Sequence, residues 1–115
     1  LLAEADIISL HVPLTELTQG MVNEEFLQKM KPTAHLINNS RGPVVNQKAL
    51  KNALQEKIIA GAALDVFESE PPDDIEFLDL PNLMVTPHIG GSANEAILAM
   101  GRSAISHLKR HFRND

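Results

Sequence analysis

Four apolar runs in this sequence each lead into a polar residue whose side chain can do chemistry. Ile7-Ile8-Ser9-Leu10 leads into His11, and His35-Leu36-Ile37-Asn38-Asn39 leads into Ser40-Arg41-Gly42. Ala60-Gly61-Ala62-Ala63-Leu64 leads into Asp65, and Leu83-Met84-Val85-Thr86-Pro87 leads into His88. In an open parallel α/β sheet, ligands sit outside the carboxyl ends of the strands. One edge of such a sheet would gather two histidines, an arginine and an aspartate, with Glu70 a few residues beyond.

The residue types suggest a division of labour. His88 stands at a strand-to-helix junction, between Pro87 and Ile89-Gly90-Gly91. An isolated histidine there would more simply tether a loop; its acidic companions point to acid–base chemistry. A carboxylate accepting from one ring nitrogen orients the imidazole and favours its protonated form, leaving the other nitrogen as a usable acid. Glu68, Glu70 and Asp73 could each serve, and spacing does not choose among them. Arg41 precedes Gly42-Pro43, a turn of fixed backbone, and its planar guanidinium suits bidentate capture of a carboxylate. The plainer alternative pairs it with a surface acid. Asp65 directly follows an apolar run and must find donors there or suffer desolvation; it could also cap a turn. His11 fits a structural or backbone-contacting role better than a catalytic one. Gly90-Gly91 lets a ligand approach the backbone, although two glycines before a helix are also ordinary turn chemistry.

These residues need strands and helices to hold them. Asp6 to Val12 reads as a buried strand, stopped by Pro13-Leu14-Thr15 because proline cannot continue a central strand. Asn23 can cap a helix running to Met30, with Glu24 and Glu25 in its first turn. His35 to Asn39 is the second strand. Asn46 or a neighbour opens a helix with Ala49, Leu50, Ala53 and Leu54 on one stripe. Ile58 to Val66 is a third strand, whose small residues suit helices packed on both faces. Phe67 to Pro81, rich in proline and acid, reads as loop without a helix. Leu83 to Thr86 is the fourth strand. Ser92-Ala93-Asn94-Glu95 has capping-box spacing and starts a long helix with Ala96, Ile97, Met100, Ala104, Ile105 and Leu108 on one side. Lys109-Arg110-His111 complements its C-terminal end. Strands alternating with helices imply an α/β fold with parallel pairing.

Composition narrows the function further. The 115 residues suit one domain, with 43% apolar and 22% charged residues, the proportions of a globular protein. Ten basic against fifteen acidic residues give a net charge of −5 and offer no basic face for nucleic acid. No apolar stretch approaches the roughly 20 residues of a membrane-spanning helix. There is no cysteine, hence no thiolate chemistry, which fits a cytoplasmic setting. GxGxxG, Walker A and nucleophile-elbow motifs are all missing. His107 and His111 are four apart on a polar helix face, and no metal site is expected.

Ala5-Asp6-Ile7-Ile8-Ser9-Leu10-His11-Val12-Pro13-Leu14-Thr15, Leu36-Ile37-Asn38-Asn39-Ser40-Arg41-Gly42-Pro43-Val44-Val45, Gly61-Ala62-Ala63-Leu64-Asp65-Val66-Phe67-Glu68-Ser69-Glu70-Pro71 and Pro81-Asn82-Leu83-Met84-Val85-Thr86-Pro87-His88-Ile89-Gly90-Gly91 occur in the order and spacing of one family. Over nearly its whole length the chain resembles the NAD-dependent D-isomer-specific 2-hydroxyacid dehydrogenases. The resemblance implies a Rossmann-like parallel sheet flanked by helices, and roles residue by residue. Arg41 would bind the substrate carboxylate and polarise the carbonyl. His88 would be the acid/base, and Glu70, directly before Pro71, its partner. Asp65 would hold the nicotinamide carboxamide. His11, Val12, Pro13, Asn39, Ser40, Arg41, His88, Gly90 and Gly91 would complete the lining of the cofactor. Asn39 departs from the alanine or threonine common there.

The resemblance further implies a cytoplasmic homodimer acting on small 2-hydroxy and 2-keto acids, with neither nucleic acid nor membrane as partner. The chain begins without Met and reads as residues 1–115 of a partial NAD-binding domain. The Gly-rich pyrophosphate turn, the acid that selects NAD, and the substrate domain are expected outside it. The choice between NAD and NADP is therefore left open. Alternatives are an NADH-sensing corepressor, a non-catalytic interaction module, or a formate dehydrogenase, against which Glu70 argues because a glutamine is its counterpart there. The 115 residues alone are expected to be inactive, since Arg41, Glu70 and His88 would face water, and to self-associate through the exposed edge of the first strand.

Overall fold

The computed structural model describes residues 1–112. In chain order it contains β1 (Ile7–Leu10), α1 (Glu24–Gln28), β2 (His35–Asn38), α2 (Gln47–Gln55), β3 (Gly61–Leu64), α3 (Ile75–Leu78), β4 (Leu83–Val85) and α4 (Asn94–Phe112), with one 3₁₀ turn at Gly42–Val44. The four strands form one parallel sheet in sequential order, β1-β2-β3-β4. Leu10 pairs with Asn38, Asn38 with Leu64, and Leu64 with Val85. The last residues of all four strands thus stand in a single row. Whatever follows each strand emerges along one edge.

The α/β parallel reading holds, with strands shorter at their ends than the apolar runs suggested. Caps fixed two helices where the sequence placed them. The Asn23 side chain accepts from the Phe26 N–H at 2.9 Å to start α1, and the Asn46 side chain from the Ala49 N–H at 3.0 Å to start α2. Ser92 makes no side-chain bond to the Glu95 N–H among the described residues, so the capping box does not form. The Ser92 N–H instead donates to the Ile89 carbonyl at 2.9 Å, and α4 begins at Asn94.

The segment from Phe67 to Pro81 does contain a helix, contrary to the sequence reading. Asp74 caps α3, its Oδ1 accepting from the Phe77 N–H at 3.0 Å. Lys51 of α2 reaches Asp74 Oδ2 at 3.0 Å and Glu76 Oε2 at 3.1 Å, while the Gln55 amide donates to Glu76 Oε1 at 3.1 Å. Phe77 enters the core and is fully buried. One turn of helix survives among prolines because it is capped, clamped to α2 and anchored by an aromatic ring.

The core lies on one face of the sheet. Leu10, Leu36, Ala62 and Leu64 meet Leu27 of α1, Leu50, Ala53 and Leu54 of α2, and Phe77 of α3. On the other face the cross-strand row Ser9, Ile37, Ala63 and Met84 is partly or largely exposed. The expectation that helices pack both faces of β3 is therefore not met among the described residues. No residue of α4 is buried, and Ile97, Met100, Ile105 and Leu108 stand in the open. Ile7 on the edge strand β1 is also largely exposed.

Phe77→Ala is expected to lower the unfolding free energy by about 3–5 kcal/mol, since a buried ring is lost and α3 loses its anchor. Denaturant midpoints of the two proteins measure this; a loss below about 1 kcal/mol would show that α3 is peripheral to the core.

Candidate active site

Because the strand ends are in register, His11, Asn39 and Asp65 follow β1, β2 and β3 at equivalent positions, and Thr86 follows β4. The Ser9 hydroxyl and His11 Nε2 are 2.8 Å apart, which ties His11 to its own strand and fits the structural role. The Pro13 carbonyl accepts from the Thr18 hydroxyl at 2.6 Å, fixing the turn after β1, and Val12 is half-buried against the core.

At the end of β2 the chain turns sharply to present Arg41. The Asn38 side chain is fully buried; its Oδ1 accepts from the Ser40 N–H at 3.0 Å and the Ser40 hydroxyl at 2.7 Å, and its Nδ2 donates to the Arg41 carbonyl at 3.0 Å. Arg41 itself is exposed. Its Nη1 donates to the Ser40 carbonyl at 2.8 Å, and it forms no ion pair with any acid among the described residues. The surface-acid alternative for Arg41 is thus not realised. Gly42 follows immediately, packed so tightly that a Cβ there would lie 1.8 Å from the Phe67 carbonyl oxygen. Only glycine permits that contact.

The same residue, Phe67, joins the next group. Its N–H donates to Glu70 Oε1 at 3.2 Å, and Glu70 Oε2 lies 2.8 Å from His88 Nδ1. Glu68 turns elsewhere, its Oε1 accepting from the Gln47 N–H at the start of α2. Asp73 makes no bond to His88. Of the three acids that spacing left open, geometry brings Glu70 to the histidine. The His88 hydrogen bond and then the Phe67 N–H hold the Glu70 carboxyl below its ordinary value, against a smaller effect of burial. The carboxylate is therefore charged at neutral pH. With Nδ1 committed to it, the Nε2 side of a half-exposed ring has no partner among the described residues.

Asp65 is only 5% exposed, and its carboxylate gathers the turn that carries His88. Oδ1 accepts from the Thr86 hydroxyl at 2.6 Å and the Ile89 N–H at 2.8 Å, and Oδ2 from the Gly90 N–H at 2.9 Å. These donors bracket His88, whose φ is +56°. A non-glycine residue in that region costs about 1–3 kcal/mol and persists only where its surroundings over-determine it. Three bonds from one buried carboxylate supply that determination. Burial pushes the Asp65 carboxyl up, but the Thr86, Ile89 and Gly90 donors outweigh it, and the group lies below its ordinary value.

Gly90 approaches Asp65 closely, with a Cβ there 3.0 Å from Oδ2, whereas Gly91 has open space around it. Asn39 is exposed. Beside the dyad, Phe67, Pro71, Pro72, Leu78, Val85 and Pro87 wall a largely apolar cleft of about 390 Å³ with Glu70 and His88 on its lining. No group of three or more His, Asp or Glu side chains suited to a metal occurs among the described residues. Asn38 was not singled out from the sequence; a polar residue closing an apolar strand was its signal.

Comparison with known proteins places the chain in a family. Residues 1–90 match the family model for the D-isomer specific 2-hydroxyacid dehydrogenase NAD binding domain, and the chain belongs to that family. It is 50% identical over 109 residues to glyoxylate/hydroxypyruvate reductase B of Enterobacter agglomerans, covering 94% of this chain and 34% of that protein. To D-3-phosphoglycerate dehydrogenase of Bacillus subtilis it is 48% identical over 97 residues, 84% of this chain and 18% of the relative. The structure superposes on an NAD-complexed D-isomer specific 2-hydroxyacid dehydrogenase from Lactobacillus delbrueckii ssp. bulgaricus with a TM-score of 0.83 at 38% identity, covering 92% of this chain and 37% of that one. The fold is Rossmann-like. The chain spans about a third of the length of the first of these relatives.

Asp65→Asn should destabilise the fold at neutral pH by about 1–3 kcal/mol, because an amide N–H₂ then faces a donor in a buried site. The Asp65 carboxyl is depressed in the fold, so its contribution is complete above the ordinary value of 3.8 and is lost as pH falls through the lower folded value. The gap between wild type and Asp65→Asn, followed by denaturant unfolding, should narrow below that pH. A gap unchanged into strong acid would show that the charge is not what stabilises the turn.

Proposed function

We propose that the protein carrying this chain is an NAD(H)-dependent oxidoreductase that interconverts a small D-2-hydroxy acid and the corresponding 2-keto acid. The observation that carries the reading is the His88–Glu70 pair at 2.8 Å, on the sheet edge that also presents Arg41 with no acid paired to it. A carboxylate can only accept, so it fixes Nδ1 as the nitrogen bearing the shared proton. The opposite nitrogen, Nε2, can then give its proton to a carbonyl oxygen and recover it in the reverse direction. Arg41 offers a fork of donors that fits a substrate carboxylate.

The residues present suit the cofactor that this reading requires. Asp65 uses three of its roughly four acceptor sites within the protein, which leaves one on Oδ2 for a carboxamide N–H. Asn39 has an exposed amide, and the open space at Gly91 lets a flat ring approach the backbone. When bound, NADH supplies the hydride that reduces the carbonyl carbon. His11, Val12 and Pro13 at the end of β1, and Ser40 and Gly90 at the neighbouring turns, would border it. Family membership supports the further reading of a cytoplasmic homodimer that binds neither nucleic acid nor membrane, with NAD as cofactor. The names of the relatives, glyoxylate and hydroxypyruvate reductases among them, favour two- and three-carbon keto acids as substrates.

In the full-length protein, assayed on glyoxylate, hydroxypyruvate and pyruvate, His88→Asn should lower kcat by roughly 10² to 10⁴ and leave NADH affinity nearly unchanged. Arg41→Lys should raise KM and lower kcat, by about tenfold or more in kcat/KM, because an ammonium cannot reproduce the bidentate fork. NADH binding without turnover of any keto acid would instead indicate an NADH-sensing, non-catalytic protein.

Glu70→Gln tests the pair. The carboxylate holds Nδ1 at 2.8 Å and so fixes which ring nitrogen faces the substrate. A glutamine offers one accepting oxygen in place of two, and its N–H₂ can face the ring instead. In both directions kcat should fall by about tenfold or more, with NADH affinity nearly unchanged. If kcat stayed within about twofold of wild type, Glu70 would not be the partner that orients His88.

A further inference from the structure

We propose that Asn38 is a positioning residue for recognition of the substrate carboxylate, acting through Arg41. The inference rests on the proposed function and adds to it the group that sets the arginine's direction. Asn38 closes β2 and is fully buried, one of the two buried polar side chains that the fold retains among its described residues, the other being Asp65. Its amide orientation is fixed by chemistry. One end meets the Ser40 N–H at 3.0 Å, which can only donate, and the other meets the Arg41 carbonyl at 3.0 Å, which can only accept. Oδ1 must therefore face Ser40 and Nδ2 must face Arg41. The Ser40 hydroxyl adds a third bond at 2.7 Å.

A side-chain oxygen accepting from the N–H two residues on closes an Asx turn, which here replaces a further rung of strand. The second contact, to the carbonyl of Arg41, locks the peptide that follows the arginine Cα. With Gly42 wedged against the Phe67 peptide on the far side, Arg41 is held at both ends. Among the described residues its side chain meanwhile makes one internal bond, to the carbonyl of Ser40, the residue whose N–H and hydroxyl Asn38 also holds. The guanidinium is thus aimed through its backbone and not by an ion pair. Bidentate recognition depends on direction, so a small rotation of this turn would cost the fork more than it would cost a point charge.

No other residue of similar size does this. Aspartate keeps the bonds to Ser40 but sets an oxygen against the Arg41 carbonyl. Leucine or alanine leaves the Ser40 N–H and the Arg41 carbonyl without their partner. Ser40→Ala removes a single bond and leaves the two backbone contacts intact.

The test compares kcat/KM for glyoxylate with that for its uncharged amide in the full-length protein, alongside NADH binding followed by fluorescence and the melting temperature. Asn38→Asp should lower the acid-to-amide preference by about ten- to a hundredfold through KM, while NADH binding stays within about twofold. In an Arg41→Lys background, the same change should add little to the lost preference, since the direction it sets no longer matters. Equal losses on the acid and the amide, or additive effects with Arg41→Lys, would overturn the proposal and leave Asn38 a purely structural residue. If Asn38→Asp does not fold, Asn38→Ser decides, since a serine hydroxyl can still accept from the Ser40 N–H but does not reach the Arg41 carbonyl. A preference lowered by about fivefold or more supports the role, and an unchanged one overturns it. An Arg41→Lys protein with undiminished acid preference would instead sink the functional reading on which the inference rests, and this inference with it.

Discussion

A polar side chain at the buried end of a strand needs partners, and in this fold Asn38 finds them in the turn after its own strand and Asp65 in the turn after the neighbouring one. Asn38 and Asp65 meet that condition on adjacent strands, at the end of β2 and just beyond β3. Leaving either without partners would cost on the order of 1–3 kcal/mol or more. The lowest-energy arrangement therefore shapes both turns around a side chain that the core has already fixed. One turn carries Arg41 and the other His88. The chemistry is exposed, but its geometry is set from the interior, where packing tolerates little movement.

The two turns are also joined to each other. Gly42 lies against the Phe67 carbonyl, and the Phe67 N–H caps Glu70, which in turn holds His88. A single residue, Phe67, thus stands between the arginine and the histidine pair, without any direct bond between them among the described residues. Substituting Gly42 would move the Phe67 peptide, and that displacement would reach Glu70 on its other side. The left-handed backbone of His88 fits the same logic, since strain at a non-glycine residue survives only when several independent contacts oppose its relaxation.

Much of this was legible in the sequence, and what was not has physical reasons. Asn23 and Asn46 identified two helix starts because capping is a local interaction, readable without tertiary context. The apolar runs located all four strands but overshot their ends, since hydrophobicity continues past the last ladder bond. Ser92 shows the limit of such signals: the capping-box spacing is present, yet its N–H is drawn back to the Ile89 carbonyl by a turn that Asp65 organises. The four-residue α3 was missed because its prolines and acids outweigh a single cap, and its stability comes from Phe77, Lys51 and Gln55, two of them on another helix. Spacing left three acids open as the partner of His88. Only the fold shows Glu68 committed to α2 and Glu70 turned to the ring. Asn38 was hidden by its neighbour Asn39, the more exposed of the two and the more obvious candidate for a ligand.

The open surfaces of the chain bear on the strength of its chemistry. His88 and Glu70 retain 49% and 38% side-chain exposure, and Arg41 is exposed. A guanidinium and a carboxylate about 4 Å apart attract by roughly 1 kcal/mol in bulk water and by about 4 kcal/mol at an effective dielectric near 20. The same geometry therefore discriminates weakly when wet and well when covered. The stripe of Ile97, Met100, Ile105 and Leu108 on α4 and the open sheet row around Ile37, Ala63 and Met84 are apolar surfaces that gain from leaving water. A cover that buries the apolar stripe gains free energy from area, whereas the Arg41 fork and the Glu70–His88 pair are strengthened only where the cover also removes water from them.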